Sequence, residues 1–567
     1  MAIRRLTIER YRGLKKFEWY PSPGVNALIG PGDVGKTTVL SAISLLLNTG
    51  PSGSASEYDY YQRNVEDEFE ISAVIGDLPE TLRRNHHSAL RGWKDNLLQG
   101  LPDEDGSEAV ILVSVKGNKD LEVSHDVVLV DDTRERFHVA SRRTLNLSNV
   151  ASGTRAMTEL RLGRGSLLDR HIKGGELRSI VTEQIAAASA DMDLPEDIAA
   201  SLEQLKETFK TKGLPDRLYL GLITPQERSL LWLVGLLTGD RPEHAVPLAY
   251  SGSGTTKLAM FALASALAQG EPILVVDEPE VGLEPYRQRA FVRSLERLAG
   301  ATGQAFVTTH SPAVLSVLTG NQVTRIMPGA NPQTLANSDI DRLLREAPSA
   351  FVSRLPILCE GETEAGFLAE ILDEYAGREQ VEGLDAFGVT LVAREGISVG
   401  QPRVLQEATA LLDAGISCGL FVDNEALHGG QRDQLRQRDN CAFGCWDGVV
   451  NIEEAVARWL PVEQLSELAD LEAGLRAQGG LESVLQQVGQ YAGKPGKAPI
   501  NSLVASLGEL AVRDALCQAM QNGSWFKQME RARALGKFLL EKGIPPEIEK
   551  VFLKFWESIK KVLLGTE

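Results

Sequence analysis

Short apolar runs separated by glycine-rich or acidic turns recur along this chain of 567 residues. The run Val25 to Ile29 leads through such a turn into the apolar-rich stretch Thr38 to Leu47. Further downstream, Ile273 to Val276 and Ala305 to Thr309 have the composition of strands in a buried parallel sheet. Parallel sheets of this kind are covered by helices, so the pattern predicts an α/β architecture.

Between these runs the pattern changes twice. Glu68 to Val74, Val110 to Val115 and Val127 to Val130 read as strands of an antiparallel sheet. Residues 166 to 213 then have helical spacing with charged faces, broken at Asp193-Leu194-Pro195. Such an insert is either a partner-binding arm or a packed helical lobe, and the sequence slightly favours the arm.

The turn after the first apolar run carries the most informative motif in the chain. Residues 30 to 37 read Gly-Pro-Gly-Asp-Val-Gly-Lys-Thr and match G-x-x-x-x-G-K-[ST] at every fixed position. The glycines let backbone N–H groups close around a phosphate, the lysine reaches the β and γ oxygens, and the threonine hydroxyl ligates Mg²⁺. The motif predicts ATP binding. The candidate nucleotide-binding residues of this loop are Gly30, Gly32, Gly35, Lys36, Thr37 and Thr38, with Thr37 also a metal ligand.

A second nucleotide-binding landmark lies far downstream. The run Ile273 to Val276 delivers Asp277 and Glu278 to the end of a predicted strand. We expect Asp277 to hold Mg²⁺ through water and Glu278 to orient or deprotonate the attacking water. The long separation of the two landmarks indicates a large insertion or accessory lobe within the ATPase.

Three further segments follow the motif order of ABC-type ATPases. Ser253 and Gly254 lie in a glycine-rich turn that opens an apolar helix, at the place of the ABC signature. Gly282 to Pro285 lies where these ATPases have the D-loop, and His310 follows a strand at the place of the switch histidine. The signature contacts the γ-phosphate of a nucleotide on a second subunit. The order therefore predicts an ABC-type ATPase that forms at least a homodimer.

The last part of the chain has a separate constellation of acids. A predicted strand ends at Glu360, and Glu364 lies on the first turn of the helix that follows. A later apolar run leads to Asp423 and Glu425. Because the carboxyl ends of parallel strands meet at one edge, these acids are expected to converge around hard divalent cations, Mg²⁺ or Mn²⁺.

Two elements near this constellation leave alternatives open. Glu453 is either a ligand or supporting residue of the metal site, or a helix N-terminal residue that the helix dipole stabilises. Residues 461 to 567 are helical by periodicity and carry basic residues. Among these, Lys527 follows Trp525 and Phe526, and it either reaches a phosphate or is solvated beside core aromatics.

Charge and composition restrict the partners. The net charge of −18 gives no general attraction to a polyanion, so any nucleic-acid contact needs local basic patches or bridging metal ions. The longest apolar stretch, Leu230 to Leu237, is too short to span a bilayer, and no signal segment follows Met1. Five scattered cysteines suit a reducing cytoplasm. A cytoplasmic protein without membrane association is expected.

These motifs together resemble the OLD (overcoming lysogenization defect) family and are similar to the nuclease subunits of Gabija antiphage systems. The resemblance rests on the ATPase motifs with His310 in Thr-Thr-His-Ser-Pro, on Glu360-Gly-Glu-Thr-Glu364, and on the later acidic strand end. It implies an SMC-like ATPase followed by a TOPRIM domain that cuts DNA with two divalent ions. It also implies a helical dimerisation insert, a role in phage defence, and a lysine near the C-terminus that assists cleavage. Lys527 matches that position better than Lys537.

The resulting domain prediction follows the chain in order. An ATPase of the ABC and SMC-like type is expected to be interrupted by the helical dimerisation insert, and then to be followed by the TOPRIM α/β domain and a C-terminal helical region. The boundaries are 1–165 and 214–347 for the ATPase, 166–213 for the insert, 348–460 for TOPRIM and 461–567 for the helical region. DNA and a second copy of the chain are the expected partners, and a helicase from a neighbouring gene is a candidate partner.

The chain departs from the family pattern at several positions. TOPRIM domains have Asp-x-Asp, whereas this chain has Asp423-Asn-Glu425; the glutamate keeps the charge but reaches further. Glu284 in the D-loop and Ser253-Gly254-Thr255 in the signature also differ from the commonest ABC residues. Two alternatives to a DNA nuclease therefore remain: an SMC-like DNA-binding ATPase with a non-catalytic TOPRIM scaffold, and a TOPRIM nuclease acting on RNA.

Overall fold

The computed structural model describes residues 1–48, 54–102, 106–145, 147–150, 159–163, 166–172, 195–222, 234–267, 272–329, 331–379, 383–395, 397–398, 401–424, 429–476 and 480–564. Its internal contacts divide the chain into two units, Met1–Ala336 and Asn337–Glu567. The sequence pattern predicts this division at residue 348.

 The difference arises because the helix at 338–346 joins the second unit through ion pairs described below.

The strands of the first unit form three sheets. They are β1 (Ala2–Tyr11), β2 (Leu14–Trp19), β3 (Gly24–Ile29), β4 (Phe69–Gly76), β5 (Arg91–Lys94), β6 (Leu97–Leu98), β7 (Glu108–Gly117), β8 (Val123–Val128), β9 (Arg134–Arg136), β10 (Leu147–Val150), β11 (Leu218–Leu222), β12 (Val234–Thr238), β13 (Val246–Pro247), β14 (Ile273–Asp277), β15 (Gln304–Thr308), β16 (Val323–Arg325) and β17 (Gln333–Thr334).

One sheet is antiparallel, with the order β2-β1-β4-β7-β5-β6 and with β8 and β9 continuing from β7. The predicted antiparallel strands are confirmed as β4, β7 and β8. A second sheet has the order β10-β14-β15-β3-β16-β17, and its strands from β10 to β16 run parallel. The parallel strands predicted around the two nucleotide-binding landmarks are therefore confirmed as β3, β14 and β15. Strands β11, β12 and β13 form a small antiparallel sheet.

A buried glutamine joins the two larger sheets. The Gln304 side chain accepts a hydrogen bond from the Ile3 backbone N–H at 2.7 Å and donates to the Ile3 carbonyl at 3.1 Å. It also donates to the Ser22 carbonyl at 3.0 Å. A fully buried amide is tolerated because its donors and its acceptor are all satisfied. Apolar side chains of both sheets, such as Ile8 and Phe306, pack into one core with the helix that follows β3.

The α-helices of the first unit cover these sheets. They are α1 (Lys36–Leu46), α2 (Glu80–Asn85), α3 (Val139–Arg143), α4 (Leu167–His171), α5 (Glu196–Thr211), α6 (Ser253–Leu267), α7 (Pro285–Ala299) and α8 (Pro312–Leu315). Short 3-10 turns lie at Glu57–Asp59, Tyr61–Arg63, His87–Ala89, Pro242–His244, Leu248–Tyr250 and Gly320–Gln322.

The described part of the predicted helical insert is a packed lobe rather than a projecting arm. Helices α4 and α5 both contact α6. The apolar face of α5, which includes Ile198, Leu205 and Phe209, is buried. Lys212, at the end of α5, lies 4.5 Å above the ring of Phe261 in α6. Residues 173–194, the middle of the predicted insert, lie outside the described residues.

The second unit contains a parallel sheet. Its strands are β18 (Leu355–Cys359), β19 (Val389–Ala393), β20 (Ile397–Ser398), β21 (Gln401–Pro402), β22 (Cys418–Val422) and β23 (Cys441–Cys445). The order is β19-β18-β22-β23 with every pair parallel, while β20 and β21 form a hairpin. The predicted strands ending at Glu360 and Asp423 are therefore neighbours, and both deliver their acids to the same edge.

Helices surround this sheet and form the C-terminal region, as the periodicity predicts. They are α9 (Ser338–Glu346), α10 (Glu362–Arg378), α11 (Leu384–Phe387), α12 (Arg403–Asp413), α13 (Gly429–Arg436), α14 (Ile452–Trp459), α15 (Leu465–Leu475), α16 (Gly480–Tyr491), α17 (Ile500–Leu507), α18 (Glu509–Asn522), α19 (Met529–Lys542) and α20 (Pro546–Leu564). Short 3-10 turns lie at Pro348–Phe351 and Val462–Gln464.

Helix α9 is attached to this unit by charged side chains. Arg342 in α9 contacts Glu407 in α12 at 3.0 Å, and Arg403 contacts the same carboxylate at 3.2 Å. Arg394 also pairs with Glu407, whose side chain is fully buried. A buried carboxylate needs such partners, which explains why α9 belongs with the second unit. Among the described residues, no helix is both long enough and apolar enough to cross a membrane.

Candidate functional site

The loop between β3 and α1 has a backbone that side chains would obstruct. Gly30 has φ 146°, and a Cβ atom there would lie 2.3 Å from the Ile326 carbonyl oxygen. Gly35 has φ 97°, in the left-handed region that favours glycine. The two fixed glycines of the motif are therefore required by the conformation of this loop.

Lys36 lies folded over the loop that it follows. Its ammonium donates hydrogen bonds to the carbonyl oxygens of Gly30 at 3.0 Å and Pro31 at 2.7 Å. Burial lowers the pKa of Lys36, while the charges of Glu278 and Asp277 act in the opposite direction. A cation held at this position can exchange its carbonyl partners for the β and γ oxygens of a nucleotide.

Thr37 and Asp277 meet although they are far apart in sequence. The Thr37 hydroxyl donates to Asp277 Oδ1 at 3.3 Å, and the Thr308 hydroxyl donates to the same oxygen. Because β14 and β15 are neighbours, Asp277 and Thr308 are in register. The threonine hydroxyl and the carboxylate expected to bind Mg²⁺ are thus brought together, and both are hard oxygen donors that suit this ion.

Most of the predicted residues of the phosphate-binding loop line one cavity of about 390 Å³, whereas Gly30 and Asp277 are not part of its lining. Its wall includes the loop and α1 residues Gly32, Gly35, Lys36, Thr37 and Thr38, together with Gly13, Asp33, Val34, Glu278, Thr308 and His310. The volume is in the range of small-molecule sites. The phosphate-binding loop, the acidic end of β14 and the histidine are far apart in the sequence. In the fold, all three border this one cavity.

Glu280 supports the histidine of this cavity. The His310 backbone N–H donates to Glu280 Oε1 at 2.7 Å, and the Thr309 hydroxyl donates to Glu280 Oε2 at 3.0 Å. Sequence reasoning gave Glu280 no role, although it stands two residues after Glu278 in the same acidic turn. The carboxylate fixes the turn after β15 and so the position of His310.

Ser253 and Gly254 are not among the residues that line this cavity. They open α6, where a Cβ atom on Gly254 would lie 2.1 Å from the Gly282 carbonyl oxygen. A Cβ atom on Gly282 would lie 2.2 Å from the Ser253 hydroxyl. The turn at the position of the ABC signature and the turn at the position of the D-loop therefore pack against each other closely within one chain. The predicted contact of Ser253 with a nucleotide on a second subunit stays a prediction.

The second constellation lies at the carboxyl edge of the parallel sheet. Glu360 follows β18, and its Oε2 accepts a hydrogen bond from the Asp423 backbone N–H at 2.9 Å. Glu364 lies on the first turn of α10 and is buried. Arg432 in α13 donates to the Asp423 carbonyl at 2.7 Å and to Asn424 Oδ1 at 3.3 Å. No pattern in the sequence singles out Arg432, because its role depends on how α13 returns to the sheet edge.

Glu453 and Lys527 complete this group. Glu453 lies on the first turn of α14, where its side chain is 3% exposed, and it forms an ion pair with the Lys527 ammonium. Lys527 follows a turn in which Ser524 and Phe526 have φ angles of 55° and 53°. The Phe526 side chain is buried, which anchors this strained turn. Lys537, the other candidate lysine, is exposed.

Burial and the neighbouring charges shift the pKa values of the side chains in this cluster. Burial, together with the neighbouring charges of Glu453 and Glu360, raises the pKa of Glu364 to about 7, although Lys527 acts in the opposite direction. Burial lowers the pKa of Lys527, but the pair with Glu453 and the charges of Glu364 and Asp423 outweigh it, so the net shift is upward. The cluster therefore carries more negative charge than its one neighbouring lysine compensates.

The donor set fits hard cations, but it is not preassembled. Carboxylate oxygens are the ligands that Mg²⁺ and Mn²⁺ prefer. Within the described ranges, however, no three His, Cys, Asp or Glu side chains stand close enough together to hold a metal ion. Glu425, one of the predicted ligands, lies outside the described residues. Binding at Glu360, Glu364, Asp423 and Glu453 would require their side chains to draw together.

Comparison with known protein families finds a match within the first unit. Residues 109–316 match the model of a family described as "AAA domain, putative AbiEii toxin, Type IV TA system". The matched range includes Asp277, Glu278 and His310, begins after the Gly30 to Thr37 loop, and covers less than half of the chain. No curated protein matches the sequence. Residues 109–316 are thus similar to an AAA-type ATPase domain.

Two solved structures resemble part of the chain. One is described as "Crystal structure of the SmcHead bound to the C-winged helix domain of ScpA"; it has 14% sequence identity and a TM-score of 0.37, and the similarity covers 60% of this chain and 98% of that chain. The other is an Smc head domain with an extended coiled coil, bound to the C-terminal domain of ScpA derived from Pyrococcus furiosus. It has 12% identity and a TM-score of 0.35, and the similarity covers 61% of this chain and 98% of that chain.

Proposed function

We propose that this chain is an ATP-hydrolysing, divalent-metal-dependent DNA endonuclease of the OLD family, in which the ATPase controls a TOPRIM-type nuclease centre. The observation that carries the proposal is the ion pair between Lys527 and Glu453. The charge of this lysine interacts with Glu364 and Asp423, and Glu364 in turn interacts with Glu360. Clustered carboxylates with an adjacent lysine provide both metal ligands and a positive charge for a scissile phosphate.

In the ATPase, each residue of the cavity has a stated task. The N–H groups of the Gly30 to Thr37 loop and the Lys36 ammonium bind the phosphates. Thr37 and Asp277 present oxygens for Mg²⁺, which neutralises phosphate charge when it is bound. Glu278 orients the attacking water from the end of β14. Homodimers complete each site with the Ser253 turn of the second copy.

In the nuclease centre, the chain's residues position the acids and the charge. Divalent ions, when bound, activate a water and stabilise the leaving oxygen. Glu360 fixes the Asp423 backbone by accepting its N–H, and Arg432 holds the other side of the same strand end. Lys527 neutralises charge on the scissile phosphate. With a net charge of −18, contact with DNA depends on such local cations.

A plasmid-nicking series tests the nuclease. We expect Glu360→Gln and Asp423→Asn each to reduce nicking by orders of magnitude in Mg²⁺ and Mn²⁺, because each removes a charged ligand. Glu374→Gln is the matched control, since Glu374 is an exposed acid on the same helix as Glu364. Circular dichroism checks the fold of every variant. Undiminished nicking by a folded double variant of Glu360 and Asp423 contradicts the proposed centre.

A scaffold role is the second candidate, and the lack of a preassembled three-ligand group among the described residues favours it. The same assay separates the two functions. Wild-type protein that binds DNA and hydrolyses ATP, but cuts neither plasmid nor RNA with any of these metals, supports the scaffold. Cleavage of RNA alone supports an RNA nuclease. Protection of bacteria from phage by the wild-type gene, and loss of protection with Asp423→Asn, tests the proposed defence role.

A further inference from the structure

Lys257 is a buried cation at the acidic end of β14. It lies on the second turn of α6, and it is 2% exposed. Its ammonium donates a hydrogen bond to the backbone carbonyl of Glu278. Burial lowers the pKa of Lys257 to about 8, although the charges of Glu280, Glu278 and Asp277 act against this shift. A lysine is rarely kept this deep unless it has a specific partner.

The partner of this lysine is a residue in an unusual conformation. Glu278 has φ 47°, in the left-handed region that is unfavourable for a residue with a Cβ atom. Its backbone N–H donates to the Thr308 hydroxyl at 3.1 Å. Its carbonyl accepts from Lys257 and also from the Val281 N–H, at 3.1 Å. Glu278 is therefore held on both sides of its Cα atom, and it lines the nucleotide cavity.

The turn after Glu278 is joined to α6 at a second point. Gly254, one turn before Lys257, packs directly on the Gly282 carbonyl, leaving no room for a Cβ atom. Gln288 in α7 closes the turn by donating to the Leu283 carbonyl at 2.7 Å. Residues 278–283 are therefore fixed to the first turns of α6 at both ends, and a displacement of α6 would move them.

We infer that Lys257 is a positioning residue of the ATPase, which holds the Glu278 backbone so that the Glu278 carboxylate faces the attacking water. The inference rests on the proposed role of Glu278 in hydrolysis. Lys257 itself does not line the nucleotide cavity. Removal of its ammonium releases one of the three hydrogen bonds that hold the Glu278 backbone, and a small misplacement of a reacting group costs up to about 100-fold in rate.

Steady-state ATP hydrolysis by full-length Lys257→Met tests the inference. We expect kcat to fall about 10-fold to 100-fold while KM and the affinity for ATP stay within about twofold of wild type. Lys212→Met is the matched control. Lys212 is a partly buried lysine that contacts α6 at Phe261, away from Glu278. That variant should keep its kcat. If Lys257→Met does not fold, Lys257→Gln, whose shorter amide does not reach the carbonyl, takes its place with the same expectation.

A double-variant cycle separates positioning from a merely structural role. In single-turnover hydrolysis, Lys257→Met should have almost no further effect in the Glu278→Gln background, because it acts through the missing carboxylate. An equal fold-loss in both backgrounds, or loss of ATP binding, overturns the inference. Wild-type turnover by Glu278→Gln instead overturns the proposed role of Glu278. If Glu278→Gln does not hydrolyse ATP and Lys257→Met is fully active, the inference about Lys257 is wrong while the proposed role of Glu278 stands.

Discussion

The Lys527 ammonium donates to the Glu453 carboxylate across 74 residues of sequence. Neither residue belongs to the parallel sheet that carries Glu360 and Asp423. Glu453 comes from the start of α14, and Lys527 from the turn between α18 and α19. The C-terminal helices therefore contribute the cation of the second constellation, which makes them part of the proposed nuclease centre.

Lys527→Met separates a role in cleavage from a role in metal binding. We expect nicking to fall by about 10²-fold, because the charge beside the phosphate is lost. Binding of Ca²⁺, measured by calorimetry, should become tighter, since the ammonium no longer competes for Glu453. Lys537→Met is the control, because Lys537 is an exposed lysine on the adjacent helix. Weaker Ca²⁺ binding by Lys527→Met alone would assign the lysine a structural role instead.

Two glycines in one turn provide a matched pair of substitutions. Gly254→Ala places a methyl group against the Gly282 carbonyl, whereas Gly252→Ala meets nothing within 4 Å. We expect Gly254→Ala to cost about 1 to 3 kcal/mol of stability and to reduce ATP turnover, because the Glu278 turn must shift. Gly252→Ala should be nearly neutral in both respects. Thermal unfolding and ATP hydrolysis provide the comparison, and equal behaviour of the two variants contradicts the packing described.

Lys36→Ala and Glu278→Gln should impair the ATPase at different steps. Lys36→Ala removes the cation that reaches the phosphates, so binding of a fluorescent ATP analogue should be lost. Glu278→Gln keeps the phosphate contacts and removes the carboxylate that orients water, so ATP should bind but remain uncleaved. The trapped state should sediment as a dimer if Ser253 completes the site in a second copy. Similar ATP turnover in wild type and both variants would rule out these assignments.

Local pattern was sufficient to predict the strands that carry the acids. The apolar runs ending in Asp277 and Asp423 form parallel strands in two separate sheets, and within each sheet parallel pairing brings the carboxyl ends of neighbouring strands to one edge. The glycine-rich loop was predictable for the same reason, since its conformation depends on residues within a few positions. Period and spacing describe such short-range structure well.

Contacts made by returning helices could not be predicted from pattern. The pairing of Lys527 with Glu453 depends on the strained turn at Ser524 and Phe526, and the sequence left both a phosphate-binding and a solvated role open for this lysine. Lys257 gave no signal, because its partner is a backbone carbonyl exposed by the left-handed Glu278. An amphipathic helix has the same pattern in an arm as in a packed lobe. That ambiguity led to the incorrect preference for an arm in the described part of the insert.

His125 predicts how the first unit responds to acid. It lies buried on β8, and its Nε2 contacts the Leu45 carbonyl oxygen at 2.9 Å. Burial, together with the charges of Arg142 and Arg136, lowers the pKa of His125 from 6.5 to about 4, although this hydrogen bond acts in the opposite direction. The folded unit therefore binds fewer protons than the unfolded chain between these two values. The stability contributed by neutral His125 is present above pH 6.5 and is lost as the pH falls towards 4.

The expected loss between pH 7 and pH 5 is about 2 kcal/mol in the free energy of unfolding of the first unit. His125→Gln should abolish this part of the pH dependence, because glutamine does not titrate, whereas the exposed His244→Gln should leave it unchanged. Urea-dependent pulse proteolysis of the full chain, with fragments of residues 1–336 quantified by mass spectrometry, measures the unit separately. Parallel stability curves for wild type and His125→Gln between pH 5 and pH 7 would show that protonation of His125 does not destabilise the folded unit.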